Sequence, residues 1–186
     1  MSEIRLKKLK TLISEEFNER HNTSLENPRH TVGWPLYDEE EIYSALNCLL
    51  DLRLSQGDNV RAFENAYKQY LKLPKDSTAA AVNSGSSANL VTFAALIDCG
   101  RLEVGDEVIV PASTFATVSS ILYQLGLIPV YVDSELETWN LDPKEVEGAI
   151  SKRTKAIMVV HNLGIPAKMD EIMKIATKNG LIVIED

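Results

Sequence analysis

The stretch VIVPASTFATVSSILYQLGLIPVYVD, residues 108–133, decides the fold. It opens on the apolar run Val108–Val110 and passes into Thr117–Leu125, where apolar side chains recur three or four positions apart. It closes on a second apolar run, Pro129–Val132. The first spacing is that of a helix buried along one side, and short apolar runs without period-two alternation are those of strands buried on both faces. Gly126 stands just past the helical segment, where a left-handed residue commonly closes the last turn. The same rhythm extends outward. Apolar runs recur at Ala79–Val82, Ala156–Val160 and Leu181–Ile184, and helical stretches at Ser86–Ile97, Pro143–Ile150 and Met169–Asn179, the last followed by Gly180. Five strand-like runs separated by helices predict an α/β fold, a parallel-type sheet with helices on both faces.

Upstream, the chain is helical and polar in pattern. Ile4, Leu6, Leu9, Leu12, Ile13 and Phe17 are interleaved with Arg5, Lys7, Lys8 and Lys10, which predicts an amphipathic helix and not a secretory signal. Pro28, Gly33 and Pro35 break the pattern around Asn27–Trp34. Asp38 with Glu41 three residues on reads as a capping box before Ile42, Ala45, Leu46, Leu49 and Leu50. A further helix is expected from about Asn59 to Leu71. It carries Phe63, Ala66, Tyr67 and Tyr70 on one face, read here as core packing. The division expected is an N-terminal helical segment, 1–75, followed by an α/β segment, 76–186.

The composition agrees with a globular chain: 186 residues, 45% hydrophobic and 25% charged. That length suffices for one sizeable core, burying roughly 70% of the unfolded surface. Nineteen Lys and Arg against 27 Asp and Glu leave a net charge of −8. Such a balance argues against nucleic acid, which needs clustered cations to displace its counterions. The longest apolar runs fall short of the ~18 residues of a membrane span. Cys48 and Cys99 form no Cys-x-x-Cys pair and no His lies at ligand spacing, so neither a disulfide framework nor a metal site is expected. Each cysteine reads as a small buried side chain on a helix, and the setting as reducing and cytoplasmic.

Three strand ends carry chemistry. In VNSGSSANL (82–90) small residues separate a strand from a helix, so free backbone N–H groups and the helix dipole point at one spot. Gly85 permits close approach there, and the hydroxyls of Ser86 and Ser87 add donors for a phosphate. The stretch is neither a P-loop nor a dinucleotide fingerprint, and a Ser-rich N-cap holding only its own helix fits the letters equally. In VPASTFATVSS (110–120), Phe115 lies at a strand's carboxyl end, the edge where open α/β sheets bind ligands. Its ring can lie flat on a planar heterocycle, although the pattern alone reads it first as core. LIVIED (181–186) ends in Glu185 and Asp186. A carboxylate there can hold a proton on a ring nitrogen; taken alone it reads as a solvated strand end or a helix cap.

Together these stretches resemble the fold-type I pyridoxal-phosphate enzymes, and most closely the DegT/StrS-type sugar aminotransferase family. The resemblance runs through WPLYDEEEI (34–42), LSQGDNVRAFENAYKQYL (54–71), NSGSSANL (83–90), GDEVIVPASTFAT (105–117), IPVYVD (128–133), TKAIMVVHNLGIPAKMDEI (154–172) and LIVIED. Order and spacing carry it. It implies the large domain of that fold and pyridoxal 5'-phosphate, or pyridoxamine 5'-phosphate, as cofactor. Carried over by position, Ser86 and Ser87 beside Gly85 become the phosphate ligands, Phe115 the ring stacked on the pyridine, and Asp186 the partner of its protonated nitrogen. That ion pair lets the ring withdraw electrons. Asn162 is placed within reach of cofactor or substrate, and His161 helps shape the strand end. The implied reaction moves an amino group from an amino-acid donor, glutamate, to the keto group of a nucleotide-linked sugar. A homodimer is implied too, with Trp34 to Leu71 helping to form its contact.

The family's Schiff-base lysine follows the acid of LIVIED, where this sequence stops. Lys155, Lys168, Lys174 and Lys178 read as a strand flank or exposed helix charges, so no catalytic residue is assigned within the chain. The resemblance therefore implies the N-terminal portion of a longer enzyme, lacking the small C-terminal domain and later strands. By itself it is expected to bind cofactor weakly, to transfer no amino group, and to leave a sheet edge open. SGSSAN and HNLGIP lie nearer the subgroup that uses pyridoxamine phosphate to dehydrate nucleotide-linked 4-keto-6-deoxy sugars at C3, whose distinguishing features fall beyond Asp186. A non-catalytic cofactor-binding or regulatory protein on the same fold, and a plain nucleotide-binding α/β domain, are the readings from other classes.

Overall fold

The computed structural model describes residues 3–22 and 36–186. The break expected at 27–34, together with Trp34 and Pro35, lies outside the described residues. Two compact units divide the chain, Met1–Ala79 and Ala80–Asp186.

The first unit holds helices α1 (Glu3–Asn22), α2 (Glu39–Leu50) and α3 (Asp58–Tyr70). Asp38 closes the expected capping box: it accepts the Glu40 N–H at 2.8 Å, and its own N–H donates to Glu41 Oε2 at 2.8 Å. Two backbone donors that α2 leaves without helical acceptors are thereby satisfied. Helices α1 and α2 are joined by the Lys10–Glu40 ion pair at 2.9 Å and a Ser14–Glu39 hydrogen bond. No residue of α2 or α3 is buried.

The second unit is the α/β layer structure. After α4 (Gly85–Asp98) come β1 (Glu107–Pro111), α5 (Thr117–Gln124), β2 (Ile128–Val132), α6 (Pro143–Gly148), β3 (Thr154–Val159), α7 (Met169–Asn179) and β4 (Ile182–Glu185). The strands form one sheet in the order β2-β1-β3-β4, and all three pairings are parallel. Alternate residues of a strand face opposite ways, so β1, β3 and β4 feed two cores, while edge strand β2 adds Val130 and Val132 to one of them. Val108, Val110, Ala156, Met158 and Ile184 pack with Phe93 of α4 and Val118, Ile121 and Leu122 of α5. On the other face, Ile109, Ile157 and Val159 pack with Val146 of α6 and Ile172 and Ala176 of α7. Gly126 and Gly180 both take the left-handed conformation, with φ of 75° and 65°. Right-handed crossovers explain the division of helices: β1 winds through α5 to one side, and the later strands wind back through α6 and α7 to the other. The reversal falls between β1 and β3, and the loops leaving their carboxyl ends diverge there.

Four sequence expectations fail. Ala79–Val82 is not a strand. A ladder needs a neighbour, and the two edge strands pair only inward, β2 with β1 and β4 with β3. The aromatic face of α3 is not core, Phe63 being 58% and Tyr70 83% exposed; helical spacing reports that a face is apolar, not what covers it. Cys99 is exposed and Cys48 only half-buried, because Cys99 falls on the C-cap of α4 and Cys48 on a helix with no buried side. Phe115 is not core either: it stands in the turn after β1, 74% exposed. Among the described residues no helix is long and apolar enough to cross a membrane.

Candidate functional site

The first turn of α4 is the centre of the site. Ser84, with extended backbone, caps the helix by accepting the Ser87 N–H at 3.1 Å. The amides of Gly85 and Ser86 begin the helix and have no acceptor within it. No acidic residue stands in that turn, so the positive end of the dipole is not neutralised by the helix itself. Gly85 has nothing within 4 Å of where a Cβ would stand, leaving the backbone open to approach.

A hydroxyl has one proton, which decides which of these groups can still donate. Ser87 Oγ donates to Asn83 Oδ1 at 2.6 Å, so its proton is held by the turn before the helix. Ser86 Oγ donates to Thr117 Oγ1 at 3.1 Å, which leaves the Thr117 proton for a further acceptor. Thr117 opens α5, so this bond ties the start of one helix to the start of another. Phe115 lies two residues before it, with its carbonyl accepting the Val118 N–H at 3.0 Å. Beside Phe115, the buried hydroxyl of Thr114 has no hydrogen-bond partner among the described residues.

One turn further along α4, Asn89 Nδ2 donates to Asp186 Oδ2 at 3.0 Å. The backbone of Asp186 extends the β4 pairing, its N–H donating to the Val159 carbonyl at 2.8 Å and its carbonyl accepting the His161 N–H at 3.0 Å. The His161 ring is held on both sides. Its Nδ1 accepts the Ala167 N–H at 3.1 Å, so in the neutral ring the proton is on Nε2, 3.1 Å from Glu185 Oε2. Asn162 belongs to a short 3₁₀ turn held from the loop after β2: buried Asn140 accepts the Asn162 N–H at 2.8 Å and donates to the Ile165 carbonyl at 2.9 Å. The lysines stay out of this arrangement. Lys168 pairs with Glu135 and Lys178 with Glu147, which raises the pKa of both through hydrogen bonding to the carboxylates, while Lys155 and Lys174 are exposed.

The structure thus links Ser86 directly to the start of α5, next to Phe115, and links Asp186 to α4 through Asn89. Phe115 follows β1 and Asp186 follows β4, with β3 between those strands in the sheet. Reading the sequence missed Thr117, Asn89 and Asn140. The available signal was an amide side chain three residues after Ser86, within a stretch, ANLVTFAALI, whose one other polar residue is Thr92. As a donor set, two helix-start amides with hydroxyls suit a phosphate, an exposed ring suits a heterocycle, and a fixed carboxylate suits a protonated ring nitrogen. The residues present therefore fit a pyridoxal-type phosphate ester.

Comparison with known proteins bears on this arrangement. The sequence profile of the DegT/DnrJ/EryC1/StrS aminotransferase family matches residues 35–186. A dTDP-4-dehydro-2,6-dideoxy-D-glucose 3-dehydratase from Saccharopolyspora spinosa is 41% identical over 153 residues, covering 80% of this chain and 32% of the relative. A GDP-perosamine synthase from Caulobacter vibrioides is 38% identical over 161 residues, 86% of this chain and 41% of that one. The solved E. coli GDP-4-keto-6-deoxy-D-mannose-3-dehydratase with bound hydrated pyridoxal phosphate superposes with a TM-score of 0.75 at 35% identity, over 85% of this chain and 40% of the other. The chain spans about a third to two fifths of the length of these relatives.

Proposed function

The chain belongs to the DegT/DnrJ/EryC1/StrS aminotransferase family, a pyridoxal-phosphate-dependent family, and on that premise we propose that its α/β unit holds the cofactor of an enzyme acting on a nucleotide-linked keto sugar. The observation that carries this reading is the position of the α4 start, hydrogen-bonded to Thr117 through Ser86 and to Asp186 through Asn89.

Each residue has a task that follows from its surroundings. Gly85 and Ser86 present amides, and Thr117 its free hydroxyl proton, to the phosphate, with Ser86 aiming that hydroxyl and Ser87 bracing the turn through Asn83; oriented donors at a helix start bind an anion without first having to reorganise. Phe115, exposed at the mouth, covers one face of the ring and excludes water from it. Asp186 accepts the ring N–H and keeps that proton in place. Bound there, the cofactor supplies an electron sink for bond breaking next to the substrate's reacting carbon. Asn140 holds the 162–165 turn in place beside the loop after β2, and His161 locks β3 to β4 beneath Asp186.

Of the reactions represented among its relatives, removal of the 3-hydroxyl of a nucleotide-linked 4-keto-6-deoxy sugar is the one proposed, supported by the 41% identity to a 3-dehydratase. Amino transfer to the keto group, the first expectation from sequence, is the second reading, supported by the family's character and the 38% identity to an amino-sugar synthase. Both place the residue that handles the cofactor's amine after Asp186, and both fit a cytoplasmic homodimer drawing on an amino-acid donor. The test is mass spectrometry of the product formed by the full-length protein from GDP- or dTDP-linked 4-keto-6-deoxy sugar, cofactor and glutamate. Loss of the 3-oxygen supports the first reading and replacement of the keto oxygen by an amino group the second; an unchanged sugar with both nucleotides defeats both. Residues 1–186 alone are proposed to bind cofactor weakly and turn nothing over, which visible absorbance surviving dialysis together with amino-donor turnover would contradict.

A further inference from the structure

Asn89 is the polar residue that the site's outline does not by itself require. It is 7% exposed, within the apolar run of α4 that carries Phe93 into the core. A buried amide is costly unless its groups are paired. Here the nitrogen must be the group facing Asp186, since a carboxylate only accepts. The result is a 3.0 Å bond spanning 97 positions of sequence.

That bond has a geometric consequence. With its N–H on Val159 and its carbonyl on His161, Asp186 already has its main chain fixed, and the Asn89 amide then occupies Oδ2. A single oxygen, Oδ1, is left to receive another donor. Ser86 and Asn89 are three residues apart and so lie on the same side of the helix, about 4.5 Å apart along its axis. One rigid element therefore sets the separation between the phosphate donors and the carboxylate.

We infer that Asn89 is a positioning residue: by holding Oδ2 it aims Oδ1 of Asp186 at the ring nitrogen and fixes that acceptor relative to the phosphate cradle. The inference rests on the cofactor reading above, and its test separates the two. The full-length protein is loaded with pyridoxamine 5'-phosphate labelled with ¹⁵N in the ring, and the nitrogen shift is followed against pH. In the unaltered protein the ring nitrogen is protonated through the neutral range. In Asn89→Leu, branched like asparagine but without the donor, its acid constant rises about tenfold, the scale of one hydrogen bond to a charged group. Competition by inorganic phosphate stays within about twofold, since that difference is below half a kcal/mol and the α4 start is untouched. In an Asp186→Asn background the leucine substitution adds nothing, because Asn89 acts through that carboxylate. Asn89→Ser, too short to reach, gives the same shift if the leucine variant does not fold. A protonated nitrogen unmoved by either substitution overturns the inference alone; an unaltered protein whose bound ring nitrogen carries no proton overturns the cofactor reading as well.

Discussion

Ser86 Oγ and Thr117 Oγ1 lie 3.1 Å apart, joining the first turns of two helices whose sequences are separated by a strand and two loops. The bond fixes which proton is used and which is free. Removing either hydroxyl should therefore affect the anion site more than the fold.

In the full-length protein, Ser86→Ala and Thr117→Val are each expected to weaken pyridoxal-phosphate binding about tenfold, with the double variant weaker by less than the product of the two. Equilibrium titration by cofactor fluorescence measures this. Additive losses would mean that the two hydroxyls act separately.

Glu107 gives the α/β unit an acid-sensitive point far from the site. Its carboxylate is 8% exposed at the start of β1, hydrogen-bonded by Ser151 and Thr154 and paired with Arg153 at 2.6 Å. The Ser151 hydroxyl foremost, then Arg153, holds its pKa below the ordinary value against the opposing effect of burial. A depressed carboxyl stabilises the fold fully above the unfolded value of about 4.3 and loses that contribution as pH falls through the folded value. Glu107→Gln should cost about 1–3 kcal/mol at neutral pH and flatten the acid limb of a stability–pH curve measured by urea unfolding. An acid limb of unchanged slope would contradict this assignment.

Two glycines with the same backbone conformation should differ on substitution. Alanine at Gly180 meets open space and pays only for the left-handed conformation, about 1–2 kcal/mol. Alanine at Gly126 has the same strain, and its Cβ would also stand 2.9 Å from Val104 Cγ1, so Gly126→Ala should lower the midpoint of unfolding further. Equal effects would show that Val104, 74% exposed, simply turns aside.

Two phenylalanines of the chain should respond oppositely. Phe93 is fully buried between α4 and the sheet, and Phe93→Ala should cost about 3–5 kcal/mol. Phe63 is 58% exposed on α3, so Phe63→Ser in the 186-residue chain should stay within about 0.5 kcal/mol of the unaltered protein. Denaturant titration of both variants tests the contrast, and a large loss from Phe63→Ser would mean that α3 is covered.

Much of the fold was legible because its signals are local. Apolar runs at 108–110, 129–132, 156–160 and 181–184 became β1 to β4, and the helices between them begin within two residues of their expected starts. Asp38 and Glu41 specified a cap within a span of four residues. Ala79–Val82 was misread because its letters match a strand, whereas a strand exists only beside another. The α3 aromatics, and Phe115 on pattern alone, point to core for a related reason, since apolar character does not say whether anything lies opposite. For the site, Ser86 and Ser87 stood out through the small residues at the start of α4, and Asp186 through the acids that follow an apolar run. Asn89 and Thr117 did not, because their roles depend on partners 97 and 31 positions away, a separation that no spacing rule encodes.

The reversal of winding at β1 has a bearing on how such a scaffold could diversify. Residues 112–116 and 160–168 leave the sheet in opposite senses, and the split between them exists before any side chain is chosen. Changes in those two segments can retune what is admitted at the mouth while the hydrocarbon layers on either side of the strands keep their packing. On the proposed reading, selectivity and solidity are thus written in separate parts of this chain, free to evolve at different speeds.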